Sequence, residues 1–424
     1  MPAFVQHPVA HRRHSIVAAI LLTALASPLA AQQTGAPAPA PTPNPERIPR
    51  LERELASSPG NGGLMYELAV EETRVGRHDD AIRWLQKAVA LGNDFELEKE
   101  PAFAPLEKFE PYRELAHQLR LRPAIHTSAL AFRVAATDLV PEGIAAMPDG
   151  SAFFIGSLAQ KKIVRVAPDG SARDFVPGGH GGLWAVLGLK VDAKRRLLWA
   201  ASAADGREGA AAGSSGLFAF DLETGALRHR LTLDGRAHRH LFNDMSLTEA
   251  GDVFVTDSEA GSVYRVAAGA DALEEFLPAA TFFYPNGIAL APGEHTLYVA
   301  DASKGITAVD VASKRRTPLA HAQDLTLHSV DGLYADGEAL VAIQNGSGME
   351  RVVRFVLDPS GRRVARLDVL ESRNPDFDAP TTGTVVGRDF FYLANTQLER
   401  LGDDGKIASG PPLKPVLVFK TRLP

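Results

Sequence analysis

The chain repeats one short phrase at a near-constant interval. An acid or amide heads an apolar stretch and is followed by glycine or aspartate, in Glu142-Gly143-Ile144, Asn243-Asp244-Met245, Asn286-Gly287-Ile288 and Asp331-Gly332-Leu333. Asn243, Asn286 and Asp331 lie about 43–45 residues apart, the interval of propeller blades. Gly188 and Gly383, within Leu187-Gly188-Leu189 and Thr382-Gly383-Thr384, stand at the corresponding place in two further units. From about Ala124 onward apolar residues alternate with period two, and turns such as Pro168-Asp169-Gly170 and Glu223-Thr224-Gly225 separate the strands. Six units of four strands predict an all-β six-bladed β-propeller over 124–424, closed by a strand at Ala129–Ala135 or by the tail Pro415–Lys420. A two-sheet sandwich competes, but its strands carry no polar residue at a fixed phase.

The segments ahead of the propeller differ in kind. Residues 1–31 read as an export signal: Arg12 and Arg13 precede an uncharged apolar run, Ile16–Ala26, and Ala24-Leu25-Ala26 is a cleavage pattern. The competing reading is a membrane anchor, for which the run is short against the roughly 20 residues of a span. The expectation is an exported protein, periplasmic or secreted, with no stable membrane span after cleavage. Residues 32–49 are rich in Ala, Pro and Thr and predict an extended linker.

Residues 50–122 carry apolar residues at helical spacing. Met65, Leu68, Ala69, Gly76, Ala81, Leu85 and Ala88 fit a tetratricopeptide-like helix pair with Gly76 at its turn, and a partial second unit spans Phe103–Leu121. Such repeats form a groove for a partner when about three share a core. One full repeat predicts instead a small α-helical domain capping its neighbour, with a protein partner as the segment's other use.

Composition removes several chemistries. A net charge of -6 offers no electrostatic footprint for nucleic acid. The absence of cysteine excludes thiol catalysis, zinc-thiolate sites and disulfides. Neither Gly-x-Ser-x-Gly nor His-Glu-x-x-His occurs. Gly178–Gly182 lacks the lysine and helix of a phosphate loop.

Blades are related by rotation, so equivalent positions point at one axis. Glu142, Asn243, Asn286 and Asp331 would then present two carboxylates and two amide oxygens to a hard cation. The sequence predicts one divalent metal ion, calcium in the first place, with magnesium, manganese or zinc as alternatives. Ordinary turn chemistry competes, since Asn-Gly and Asp-Gly are common turn pairs. Phase separates the two: these four precede the first strand of a blade instead of joining two strands of a hairpin.

The region from about Leu139 to Gln397 resembles the senescence-marker-protein/gluconolactonase/luciferin-regenerating-enzyme (LRE-like) family. That family's Glu-Gly, Asn-Asp, Pro-Asn-Gly and Asp-Gly fall here on Glu142, Asn243, Asn286 and Asp331. The resemblance implies a six-bladed propeller with a divalent metal in its channel, acting on a small-molecule lactone or related ester. It implies Asp331 as catalytic base, with Asn243 touching substrate as well as metal. Sugar-lactonase members carry an arginine two residues before the Asn-Asp, where this chain has Leu241. Arg239 and His240 are nearby but shifted, and they are the further substrate-binding candidates, so a less polar substrate is at least as well served. The rival function is a non-catalytic binding propeller with a structural metal and a helical adaptor.

Overall fold

The structure is a computed structural model describing residues 46–402 and 404–424. The expected export signal and nearly all of the expected linker lie outside the described residues.

Six antiparallel sheets follow one another along the chain. Blades 1 to 5 span residues 141–176, 185–233, 242–277, 285–318 and 330–372. Blade 6 takes three strands from residues 383–422 and its outermost strand from the other end of the propeller sequence, Ala129–Val134. That strand pairs with Val416–Arg422, Ala129 opposite Lys420 and Val134 opposite Val416. Both segments expected to close the ring therefore do so, in one blade. A short strand, Ile125–His126, is added to blade 5. Buried Glu371 holds the chain there by accepting from the amides of Thr127 and Ser128 at 3.0 and 2.9 Å.

The first strand of each blade packs against the first strand of the next. Pro141–Ala146 is buried along its whole length, and Phe242–Leu247 and Pro285–Leu290 are buried except at their last residue. A strand buried on both faces has to be apolar, so the acid or amide at its head is the exception that demands a reason. Pairing with the second strand is irregular at that residue in five blades: between Pro141 and Ile144, Val186 and Leu189, Phe242 and Met245, Pro285 and Ile288, and Val330 and Leu333. Strand register corrects the phase expected for two units. Leu187, not Gly188, stands in the place of Glu142. In blade 6 Pro380-Thr381-Thr382-Gly383 aligns with Pro141-Glu142-Gly143-Ile144, so Thr381 is the equivalent residue.

The helical domain comprises α1 (Arg47–Ser57), α2 (Gly62–Arg74), α3 (His78–Ala90) and α4 (Glu110–Arg120). Helix α1 starts inside the expected linker; Pro49 sits in its first turn, where a missing amide proton costs no helical bond. Helices α2 and α3 are the expected pair. The partial second unit begins with a 3-10 segment, Pro101–Lys108, because Pro101 and Pro105 withhold donors. No helix among the described residues is long and apolar enough to cross a membrane.

This domain sits on the propeller. Met349, from blade 5, is part of the helical core with Tyr66, Phe95 and Phe103. Asn61 caps α2 through its carbonyl oxygen and donates its amide to the Ala302 carbonyl at 3.2 Å. Ser347 donates to Glu67 at 2.7 Å, the Glu96 amide donates to the Gly348 carbonyl at 2.9 Å, and Arg373 pairs with Asp94 at 2.6 Å.

Candidate metal centre

The four anchor residues reach one end of the channel because the inner strands meet there almost without side chains between them. A Cβ on Gly143 would overlap the Leu187 carbonyl of blade 2, and one on Gly287 the Asp331 carbonyl of blade 5. Blade 6 joins blade 1 through the Thr381 hydroxyl, which donates to the Glu142 carbonyl at 3.0 Å. Three of the four side chains act on one another: the Asp331 charge on Glu142, and the Asn286 amide on Asp331.

All four are buried, at 0% exposure for Glu142, 1% for Asn243, 8% for Asn286 and 2% for Asp331. Their hydrogen bonding is incomplete. Both carboxylate oxygens of Glu142, Oδ1 of Asn286 and Oδ1 of Asp331 are buried without a partner. Leaving such atoms unpaired costs roughly 1–3 kcal/mol each, and more for charged groups. The remaining polar atoms are held in place. Asn345 donates to Asp331 Oδ2 at 2.6 Å. Asn243 donates its amide to Ser258 Oγ at 3.1 Å, which leaves its carbonyl oxygen available to a cation. The Ser258 hydroxyl donates in turn to the Pro285 carbonyl beside Asn286.

The electrostatics are those of buried acids crowded together. Burial, followed by the Asp331 and Asp244 charges, pushes Glu142 well above the ordinary carboxylate range. Burial also raises Asp331, with Asp244 adding to the effect and Asn345 opposing it. Among the described residues no three of His, Cys, Asp and Glu gather as ligands, so a metal here depends on the amide oxygens as much as on the carboxylates. Two carboxylates, two amides and no sulfur or imidazole suit a hard oxygen-seeking cation.

Above this cluster lies a cavity of about 830 Å³. Tyr284, Asn286 and Asp331 line it from the propeller, and Asn61, Tyr66 and Glu67 from α2 and its cap. The helical domain thus roofs the mouth of the channel. Arg239 and His240 are not among the residues lining this cavity. His240 Nδ1 is 2.6 Å from Asp257 Oδ2, and Arg239 lies 4.0 Å from Glu259.

Sequence reasoning missed Asp244, which is buried beside Lys190 at 3.6 Å and adds a third carboxylate near the axis. Its place next to Asn243 in the repeated phrase was the available signal. Lys190 also lies over the Tyr334 ring at 4.6 Å, facing the opposite mouth of the channel. Asn345 was visible in Gln344-Asn345-Gly346, at the end of the strand paired with Asp331's own. Nothing local marked Tyr66 or Glu67, whose place over the channel comes from domain docking.

Residues 140–376, more than half of the chain, match the family model of the SMP-30/gluconolactonase/LRE-like region. Among solved structures, a gluconolactonase from Xanthomonas campestris is 19% identical over 72% of this chain and 99% of its own, with a TM-score of 0.47. A calcium-binding protein, regucalcin, from Agrobacterium tumefaciens is 16% identical over 69% and 95%, also at 0.47. A luciferin-regenerating enzyme is 14% identical over 68% and 92%, again at 0.47. No curated protein matches the chain.

Proposed function

Because the chain belongs to the SMP-30/gluconolactonase/LRE-like family, we propose that it is an exported, metal-dependent hydrolase of a lactone or related ester. The observation that carries this reading is the set of four partnerless buried oxygens on Glu142, Asn286 and Asp331 at one end of the channel. Glu142, Asn243, Asn286 and Asp331 would hold one divalent cation, calcium by the hardness of the donors. When bound, it would supply Lewis-acid polarisation of the acyl oxygen.

The chain's own groups account for the rest. The roof of α2 over Asn286 and Asp331 limits water at the reacting carbonyl. Asn345 fixes Asp331 Oδ2, so Oδ1 faces the substrate as the proton acceptor. A water oxygen bonds to the acyl carbon while its proton passes to Asp331 Oδ1. The ring or ester C–O bond then breaks, and the leaving oxygen takes that proton back, giving a hydroxy acid or an acid and an alcohol. Burial raises the basicity of Asp331 toward this task. Leu241 is fully buried where a polar sugar contact would otherwise stand, which supports a substrate less polar than a sugar lactone.

Asp331→Asn retains an oxygen ligand and removes the base. It is expected to lower kcat by about 100- to 10,000-fold on the best lactone or aryl ester of a panel. Equal and negligible rates for parent and variant would favour a binding propeller instead. Export rests on the basic start and apolar run of residues 1–31; N-terminal sequencing of protein recovered from outside the cytoplasm tests it, and an intact Met1 would count against it.

A further inference from the structure

One polar group in the cavity has no role in the account so far. Tyr284 directly precedes Pro285 and Asn286, at the entry to the first strand of blade 4. The residues at the same place in blades 1 and 3 are Val140 and Leu241, both apolar and buried. The Tyr284 ring packs with them and with Leu398 and Leu401 in one hydrophobic cluster at the channel mouth. A phenylalanine would satisfy that packing completely. The hydroxyl is the anomaly: it is buried and makes no hydrogen bond.

Buried phenols ordinarily find a partner. Ser258 is close enough to act on the phenol, but the two make no hydrogen bond of normal geometry, and Ser258 already donates to the Pro285 carbonyl and accepts from Asn243. Beyond burial, the charges acting on the phenol are those of Glu259, Glu142 and Asp331, two of them candidate ligands. It also lines the cavity together with Asn286 and Asp331. A donor in an apolar wall, in the same cavity as Asn286 and Asp331, lacks only an acceptor from outside the chain.

We propose that Tyr284 is a catalytic residue whose hydroxyl donates a hydrogen bond to the acyl oxygen of the substrate, stabilising negative charge there as the carbonyl is attacked. This rests on the hydrolase reading above. It adds a protein donor to a site otherwise built of acceptors. The surrounding Val140, Leu241, Leu398 and Leu401 keep the phenol dry, which strengthens its bond to a developing oxyanion. The proton stays on Tyr284 throughout, so no bond is made or broken at this residue.

The test compares full-length parent with Tyr284→Phe in four readouts: kcat, KM, the calorimetric Kd for calcium, and the calorimetric Kd for an alkyl phosphonate, a tetrahedral anion mimicking the attacked carbonyl. The expected result is a fall in kcat of about 100- to 1,000-fold, the range for loss of one oxyanion donor. The phosphonate should bind at least about 10-fold more weakly, with KM and the calcium Kd each within about twofold of the parent. A kcat and phosphonate affinity within about twofold of the parent would overturn the proposal, as would a calcium affinity falling in step with kcat. If the parent turns over no lactone or ester, the hydrolase reading fails by itself. Phosphonate binding then decides for Tyr284: equal affinity in both proteins sinks it, and weaker binding in the variant sustains it as an oxyanion donor.

Discussion

Glu142 shows most plainly how one side chain can be retained against the protein's own stability. It is fully buried with both oxygens unpaired, and its neighbours Asp331 and Asp244 are also acids. Glu142→Gln keeps one oxygen for a cation but removes the carboxylate charge that would attract it and that repels its neighbours. The metal-free variant is expected to melt at or a few degrees above the metal-free parent, since an uncompensated buried charge is costly. Its calcium affinity should fall by more than the roughly 10- to 100-fold typical of residues standing behind the ligands. Differential scanning calorimetry and calcium titration check the pair. A variant less stable without metal and unchanged in calcium binding would make Glu142 an ordinary structural residue. The identities of these ligands were legible because each interrupts an apolar strand. Their missing partners were not, because hydrogen bonds such as Asn345 to Asp331 depend on the pairing of two strands.

At the scale of elements, the helical domain is where local pattern and tertiary result part company. Helices α2 and α3 follow from apolar spacing, and the turn at Gly76 was readable. Their docking was expected only in outline, as a cap. Ser58 meets the Ser303 carbonyl and Glu67 meets Ser347, with 245 and 280 residues between the partners, and no periodicity encodes such distances. Gly348 has φ +73°, and a Cβ there would collide with the Tyr66 ring. Gly348→Ala is therefore expected to weaken the cap by roughly 1–3 kcal/mol. Limited proteolysis would show it as faster cleavage within residues 46–122, and an unchanged cleavage rate would contradict it.

The same seam should respond to acid through His328. Its Nδ1 is buried without a partner, and burial lowers its pKa from 6.5 to about 4. The unfolded chain therefore takes up the proton first as pH falls. The stabilisation from the neutral ring is whole above pH 6.5 and is lost on the way down to about 4. It amounts to an order of 1–3 kcal/mol, the lower part fitting a ring that keeps some solvent contact. Between pH 7 and 5 the parent should lose more thermal stability than His328→Gln; parallel curves would remove His328 from the account.

Over the whole molecule, the six-fold repeat was legible because blade length is set along the chain itself. The assignment of two blades to silent glycines was not, because strand register, which puts Leu187 and Thr381 in those places, is set by pairing with the next strand. The ring that results gives the channel two unlike ends. One is lined by Asn286 and Asp331 under the helical roof, and the other holds Lys190 and Tyr334 in an open recess. The family and the orphaned oxygens point to the roofed end as the place of chemistry. The most direct test is turnover of a lactone and aryl-ester panel by one preparation of the full-length protein, measured as purified, after complete chelation, and after calcium is restored. The account predicts hydrolysis of at least one apolar lactone or ester, its loss with the metal, and its return with one calcium per chain. Hydrolysis that persists unchanged in the fully stripped protein would contradict it.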